Sequence, residues 1–482
     1  MLKVWNTLRR SLEEFHSLKD DEVGLYTCGP TVYNPVHLGN FRSYIFEDIL
    51  KRTLVLLGYR VKHVLNITDV GHLVGDGDVG EDKIEREAAK TGKSAWDIAK
   101  EYEAKFLKDA ERLNLIPPSI MPHATEHITE QIDLIQVLEK KGFTYQTSDG
   151  IYFDTSKFPE YGKLSGQKLE EKEAGARVEV NQEKRQPSDF ALWKFSYPNG
   201  RSFDSAQDAL RRQMEWASPW GVGFPGWHIE CSAMSVKYLG QPFDLHCSGI
   251  DHIAVHHENE IAQSEAAFGR PLANYWMHNE FLLINGGRMG KSLGNAYTLD
   301  DLVAKKFDPL AFRYYCLGTH YRQKMNFTWE GLEGAGQALK KLQTTARRLL
   351  VGAQFIAPGS NGPKDQGVMN HAPTGFIHAL EDDLNTSQAL AIMWEMLKSD
   401  LSDEDKGLAV AKIDEVFGLG LSSIIGQSIE VPAEVTRLAE ERCTARGAKD
   451  WEKSDQLREQ IEAFGWRIED KNRGEFELTP VS

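Results

Sequence analysis

The sequence predicts an α/β protein, a parallel-sheet domain interrupted by an insertion and followed by a largely helical half. Three observations carry this. A strand-like run, a long helix-like run and a second strand-like run succeed one another near the N-terminus; the same texture resumes beyond residue 240; and after about residue 300 the apolar spacing is helical.

Along the chain, "EVGLYTCG" (22–29) is a short apolar run that reads as a buried strand. In "HLGNFRSYIFEDILKRTLVLLG" (37–58) the apolar residues recur at helical spacing, and Gly58 supplies the stop. "YRVKHVLNITD" (59–69) is a second strand ending in polar residues, so the three make a strand, helix, strand unit and a parallel pair. Residues 123–142 form another helix and "FTYQTSDGIYFDTS" (143–156) a hairpin, followed by a charged, irregular stretch to about residue 215. "PFDLHCSG" (242–249) and "HHENEIAQSEAAFG" (256–269) resume the strand and helix pattern, which makes the middle region an insertion into a split sheet. Farther on, "APGSNGPKDQG" (357–367) reads as a flexible loop among helices, and "GQSIEVPAE" (426–434) as a linker to a small C-terminal module. No repeat of solenoid spacing is present.

At 482 residues the chain exceeds one hydrophobic core, and two to four domains are expected. Hydrophobic residues at 41% and charged residues at 26% exclude a wholly disordered or collagen-like chain. The net charge of −15 argues against binding polyanions through a global basic field, but leaves room for RNA held by a local basic strip. "MLKVWNTLRRSLEEF" has no apolar core of signal-peptide length, and no window reaches the ~20 apolar residues of a membrane span; a cytoplasmic protein without membrane partners is expected. Five cysteines scattered along the chain read as thiols or metal ligands rather than a disulfide framework.

Three stretches can carry chemistry. In "HHENE" (256–260), His256 and Glu260 are four apart and share one helix face, so they can grip one ion, while His257 is expected to point elsewhere. Cys28 and Cys231 would complete a set of two thiolates, one imidazole and one carboxylate if the fold brings them together. The spacing leaves the plainer alternative open, two buried small thiols and a surface pair, because no CxxC or HExxH pattern is present. In "NPVHLGN" (34–40), backbone N–H groups at a helix start can face a phosphate, with His37 and Asn40 as further donors; the alternative is an ordinary helix turn with a glycine for close packing. "GGRMGKSLGN" (286–295) lacks P-loop spacing, yet a flexible loop bringing Lys291 to a charged transition state looks like this, as does a mobile surface loop.

Taken together, these stretches resemble the cysteinyl-tRNA synthetases, a family of class I aminoacyl-tRNA synthetases. The resemblance runs from "YTCGPTVYNPVHLGN" through "NITD", "DFALWK", "SPWG", "PGWHIECSAM" and "HHENEIAQSEA" to "RMGKSLGN" and "ARGAKDWEKSDQLREQI" (445–461), nearly the whole length. "HLGN" is similar to the HIGH signature and "RMGKS" to KMSKS, with Arg288 and Gly290 in place of a lysine and a serine. The resemblance implies a Rossmann-like catalytic domain in two halves (1–120 and 216–280) split by an acceptor-end domain (121–215). A stem-contact region (281–335), a helical anticodon-side bundle (336–425) and a small α+β anticodon-binding module (426–482) would follow.

It also implies one Zn2+ per chain on Cys28, Cys231, His256 and Glu260, and ATP with Mg2+ against Pro30, His37, Gly39, Asn40, Arg288, Met289, Gly290, Lys291 and Ser292. His37, Asn40 and Lys291 would be catalytic. Gly29, Thr68, Trp227 and Asp251 would line a cysteine pocket, with His246 a further polar wall and Asp251 on the substrate ammonium; capping is the alternative role for Thr68 and Asp251. The implied reaction joins L-cysteine to ATP as cysteinyl-adenylate and passes the cysteinyl group to tRNA(Cys), in a monomer without an editing domain. Two other readings stand beside it: a mycothiol-pathway ligase joining cysteine to an amino-sugar, against which the region after about residue 330 argues, and a non-catalytic zinc or RNA-binding protein. The chain departs from the family pattern at Phe224, where an arginine is usual, and in the long stretch 198–216. Trp451 and Trp466 are expected to be core residues rather than base-stacking ones.

Overall fold

The computed structural model describes residues 1–71, 82–166, 181–197, 212–290, 293–349, 372–427, 431–470 and 476–480. A hairpin that the sequence pattern did not announce, β1 (Lys3–Asn6) and β2 (Ser11–Glu14), precedes β3 (Glu22–Thr27). α1 (Leu38–Leu56) follows, ending two residues before Gly58, whose φ of +96° suits glycine and stops the helix. β4 (Arg60–Leu65) then pairs parallel with β3, from Glu22 opposite Arg60 to Thr27 opposite Leu65, as the strand, helix, strand pattern predicts. α2 (Lys83–Thr91), capped by Asp82, and α3 (Ala95–Arg112), capped by Ser94, lie beyond.

The insertion begins with α4 (Ile128–Lys140) and the predicted hairpin, β5 (Thr144–Gln146) with β6 (Gly150–Phe153). The stretch read as irregular contains β7 (Phe190–Phe195), which with β8 (Gly223–Pro225) completes an antiparallel sheet in the order β5-β6-β7-β8. Its charged flanks hid it, but Phe190 stacks on Phe153 at 5.0 Å and Phe153 on Phe143 at 5.9 Å, giving the sheet an aromatic spine.

α5 (Trp227–Leu239), β9 (Phe243–Gly249), α6 (His256–Phe268) and β10 (Ala273–Asn279) return the chain to the first sheet. The order is β10-β9-β3-β4, all parallel. Both faces are covered, as parallel sheets require. On one, Val23, Leu25, Leu245 and Met277 pack with Phe46 and Leu50 of α1; on the other, Tyr26, Phe243 and Trp276 pack with Ile229, Met234 and Ile261. From β3 the chain moves outward to β4, and from β9 outward to β10. The carboxyl ends of β3 and β9 therefore flank a topological switch point, where a crevice opens.

Next come β11 (Leu282–Ile284), β12 (Gly287–Arg288), α7 (Leu299–Ala304), α8 (Pro309–Leu317) and β13 (Met325–Phe327), the three strands forming a small sheet, of which β13 lies in the region read as helical. α9 (Trp329–Arg348), α10 (Thr374–Glu381), α11 (Thr386–Lys398) and α12 (Asp403–Phe417) are the helical part; the expected loop at 357–367 lies outside the described residues. One buried arginine ties this half to the sheet. Arg313 donates to Asp48 at 2.6 Å on α1, to the Phe417 carbonyl at 2.6 Å and to the Leu113 carbonyl at 3.1 Å. At the C-terminus, α13 (Ala433–Gly447), α14 (Trp451–Ala463) and the hairpin β14 (Trp466–Asp470) with β15 (Phe476–Pro480) hold their own core, including Leu438, Ile461 and Trp466. Trp466 is buried as expected, but Trp451 is 56% exposed, with Arg446 over its ring at 5.5 Å. Among the described residues no helix is long and apolar enough to cross a membrane.

Candidate metal and nucleotide site

Cys28 leaves the end of β3, where the chain must turn into the crevice. Gly29 makes the turn possible, because a Cβ there would stand 1.6 Å from the Asn66 carbonyl oxygen. Asn66 organises this corner: its Oδ1 accepts from Gly29 N at 3.0 Å and from Tyr26 Oη at 3.2 Å, and its Nδ2 donates to Thr68 Oγ1 at 3.0 Å. Cys231 comes from the second turn of α5, and His256 and Glu260 from adjacent turns of α6. The donor atoms of Cys28, Cys231, His256 and Glu260 all lie within 4.8 Å of one another, and all four residues are buried. Their separation along the chain vanishes at the switch point.

The surroundings fix each donor. His256 Nε2 sits 3.0 Å from Glu260 Oε1, and His228 Nδ1 3.0 Å from His256 Nδ1. His246, fully buried on β9, sits 2.9 Å from Glu260 Oε2, behind the donor set and not on the cavity wall. His257, expected to point elsewhere, still reaches Cys28 Sγ at 3.3 Å and belongs to a second close group with Cys28, His246 and Glu260.

Charge in this cluster is held against burial. Burial, and then Cys231, pushes the Cys28 thiol well up, while the hydrogen bond with Cys28 lowers Cys231. Burial opposes the Glu260 carboxylate, yet the charges of His246 and His256 bring it down to about 2; burial likewise opposes the His256 imidazolium, which Glu260 and Cys231 raise to about 10. Two sulfurs, one imidazole and one carboxylate, four in number, buried and within reach of one another, are the donor set that suits tetrahedral Zn2+.

The other wall is built on a helix start. His37 caps α1, its Nδ1 accepting from Asn40 N at 3.2 Å while Asn40 Oδ1 faces His37 N at 3.4 Å. The glycine-rich loop is docked on this helix start. A Cβ at Gly39 would lie 3.1 Å from the His37 ring and 3.3 Å from Met289 Sδ, and Leu38 N donates to the Tyr297 carbonyl at 2.8 Å. Within the loop, Asn295 accepts from Gly290 N at 2.8 Å and donates to the Arg288 carbonyl at 3.1 Å. Lys291 and Ser292 lie outside the described residues.

A cavity of about 780 Å³ joins the two walls. Pro30, His37, Gly39, Asn40, Arg288 and Met289 line it together with Gly29, Thr68, Trp227 and Asp251, and three of the metal donors, Cys28, Cys231 and His256, open onto it. Trp227 packs its ring 4.5 Å from that of His256. Burial opposes ionisation of Asp251, but His252, 3.5 Å away, outweighs it and brings the carboxyl to about 2.

Sequence reasoning missed several residues that hold this geometry. Arg42, two residues beyond the HLGN stretch, donates to the carbonyls of Glu280 at 2.6 Å, Phe281 at 2.5 Å, Tyr321 at 3.4 Å and Gln323, pinning α1 to the strand that leads into the glycine-rich loop. Glu258 and Asn259 turn the other side of α6 to the insertion: Glu258 accepts from the backbone N–H of Gly162 at 2.8 Å, Leu164 at 3.2 Å and Ser165 at 2.9 Å, and Asn259 from Tyr161 Oη at 2.6 Å. At the Phe224 departure, Arg212 from the end of the long stretch lays its guanidinium 3.4 Å from the ring centroid; residues 198–211 of that stretch lie outside the described residues.

Comparison with known proteins agrees with this geometry. The family model for the class I (C) tRNA synthetase catalytic domain matches residues 14–337, and that of the DALR domain residues 375–399. The chain is 46% identical over 475 residues to a Cysteine–tRNA ligase 1 of Burkholderia lata, covering 98% of this chain and 96% of that protein. It is 43% identical to the Cysteine–tRNA ligases of Treponema denticola and of Thermus thermophilus, each covering 98% of both proteins. Among solved structures, methionyl-tRNA synthetase of Mycobacterium tuberculosis with methionyl-adenylate superposes with a TM-score of 0.54 at 15% identity, over 84% of this chain and 93% of that one. The ternary complex of Agrobacterium radiobacter K84 agnB2 LeuRS with tRNA and LeuAMS does so with a TM-score of 0.57 at 12% identity, over 86% of each; both show the shared fold alone. The chain therefore belongs to the cysteine–tRNA ligases, a family of class I aminoacyl-tRNA synthetases.

Proposed function

We propose that the chain activates L-cysteine with ATP, releasing pyrophosphate, and transfers the cysteinyl group to the 3′ end of tRNA(Cys), acting as a monomer in the cytoplasm. The observation that carries this reading is a donor set for Zn2+, Cys28, Cys231, His256 and Glu260, opening into the same cavity as the HLGN helix start. When bound, zinc supplies a soft position that a thiolate fills and a hydroxyl fills poorly. An apolar pocket alone separates such near-isosteres by only about 10- to 200-fold, whereas a site demanding one specific bond reaches about 10^4 or more.

In activation, the substrate carboxylate attacks the α-phosphate of ATP and pyrophosphate leaves. The protein's task is to align these groups and meet the charge that develops. His37, whose Nδ1 caps the helix, faces the phosphates from the cavity wall, with Asn40 beside it. Lys291, with Arg288, neutralises the leaving pyrophosphate, which Mg2+ accompanies. Trp227, Gly29 and Thr68 wall the amino acid, and Asp251, kept ionised, takes its ammonium. The insertion (121–215) receives the acceptor end, residues 281–335 meet the stem, and the helical bundle (336–425) and C-terminal module (426–482) serve the anticodon side.

The test is aminoacylation of total tRNA with labelled cysteine, run beside cysteine-dependent pyrophosphate exchange. Charging of tRNA(Cys) with exchange is expected. Exchange without charging would favour the amino-sugar ligase, and neither activity in a folded, zinc-loaded sample a binding protein.

A further inference from the structure

Lys83, the first residue of α2, borders the cavity beside residues already assigned, yet neither the sequence pattern nor the reaction as described gives it a task. Its Nζ lies 5.4 Å from the Tyr33 ring centroid and 5.9 Å from that of Trp227. Tyr33 belongs to the stretch that leads into His37, and Trp227 stands one turn before Cys231, so the ammonium sits where the two walls meet. Aromatic faces help to hold a cation in place at such a wall. The neighbouring Asp82 is committed to α2, accepting from Ile84 N at 2.7 Å and Glu85 N at 2.9 Å, and to Arg212.

We propose that Lys83 binds the α-carboxylate of the amino-acid substrate, making the pocket demand an amino acid rather than any small thiol. The inference rests on the cysteine reading above and adds a recognition residue to it. A cysteine whose sulfur is held by the donor set reaches outward by a metal–sulfur bond of about 2.3 Å. Its carboxylate lies about 4 Å beyond the sulfur, and a charge-assisted contact adds about 2.8 Å. The steps along the cavity wall, 4.5 Å from the His256 ring to Trp227 and 5.9 Å from Trp227 to Nζ, keep the ammonium within a span of the same order as that reach. Asp251, on the same wall, offers the opposite charge for the ammonium, so the two ends of the zwitterion meet separate partners. Lys83 would thereby turn the nucleophilic carboxylate toward the α-phosphate.

Zinc-loaded full-length protein, titrated calorimetrically with L-cysteine and with cysteamine, which has the thiol and amine but no carboxylate, separates this contact from every other. For Lys83→Met the affinity for L-cysteine is expected to fall about 10- to 100-fold, the worth of a hydrogen bond to a charged group, with cysteamine affinity unchanged; Lys83→Arg should recover most of the loss. Equal losses for both ligands, or no loss for L-cysteine, overturn the proposal. Zinc content and melting temperature are read on the same samples, and if Lys83→Met does not fold, Lys83→Gln carries the comparison. A wild-type protein that binds zinc but no cysteine would take the ligase reading down as well, whereas normal cysteine binding by both wild type and Lys83→Met defeats only the role of Lys83.

Discussion

The cavity wall that carries Cys28, Cys231 and His256 and the wall that carries the HLGN helix start differ in how firmly the fold sets their geometry. Cys28, Cys231, His256 and Glu260 come from three elements, are at most 8% exposed, and are each held by a second buried group. On the other side stand a helix start and a loop whose Gly287, Arg288 and Leu293 are exposed, Leu293 by 64%. Discrimination between near-isosteric substrates needs a rigid donor set, because ångström-scale slack would admit the wrong ligand atom. Charge neutralisation at a leaving group needs a cation that arrives with the phosphates, and a loop does that well.

Mutations at the two walls should therefore separate cleanly. The largest effect is expected from Cys231→Ser, which should lower zinc content and reduce the preference for cysteine over serine from about 10^4 toward about 10^2, read by metal analysis and exchange with both amino acids; metal loss with selectivity intact would refute zinc's part in recognition. Lys291→Ala should slow adenylate formation by about 10^2- to 10^3-fold while cysteine affinity stays within about twofold. A wild-type activation rate would remove the loop from the mechanism. Arg42→Met strikes the joint between the walls: it leaves four carbonyls without their donor and should slow activation about tenfold and lower the melting temperature, with zinc content unchanged. A variant that lost zinc would show the joint to support both walls.

The smallest effect concerns pH. Burial, and then the charge of Lys51, depresses His63 from 6.5 to about 3. The unfolded chain therefore takes up a proton there between pH 6.5 and 3 while the folded one does not, so stability is full above pH 6.5 and falls as pH drops through that window, by at most about 1.4 kcal/mol per pH unit. His63→Gln should flatten this slope in denaturant titrations at pH 7, 6 and 5. An unchanged slope would place acid sensitivity in the histidines around the donor set.

What the sequence made legible divides along the same line. The strand, helix, strand unit, the return at β9 and α6, and the hairpin β5–β6 show because their apolar periodicity is unbroken. β7 did not, since Lys194 is buried by pairing with Asp149 and Tyr152, contacts no linear pattern reveals. The cluster of Cys28, Cys231, His256 and Glu260 was reachable through the family resemblance and not by spacing, because only His256 and Glu260 share an element. Asn66, Arg42 and the histidines at 228, 257 and 278 act through neighbours far along the chain, and nothing in their local sequence marks them.

The two-sided use of α6 bears on how such chains can be recombined. One side of the helix presents His256 and Glu260, and the other clasps the backbone of residues 161–165 through Glu258 and Asn259. The insertion is thus no free cassette: transplanting it from one relative into another without its matching helix would leave the Glu258 carboxylate buried with no donors, and that misfit would be felt two residues away on either side, at His256 and Glu260.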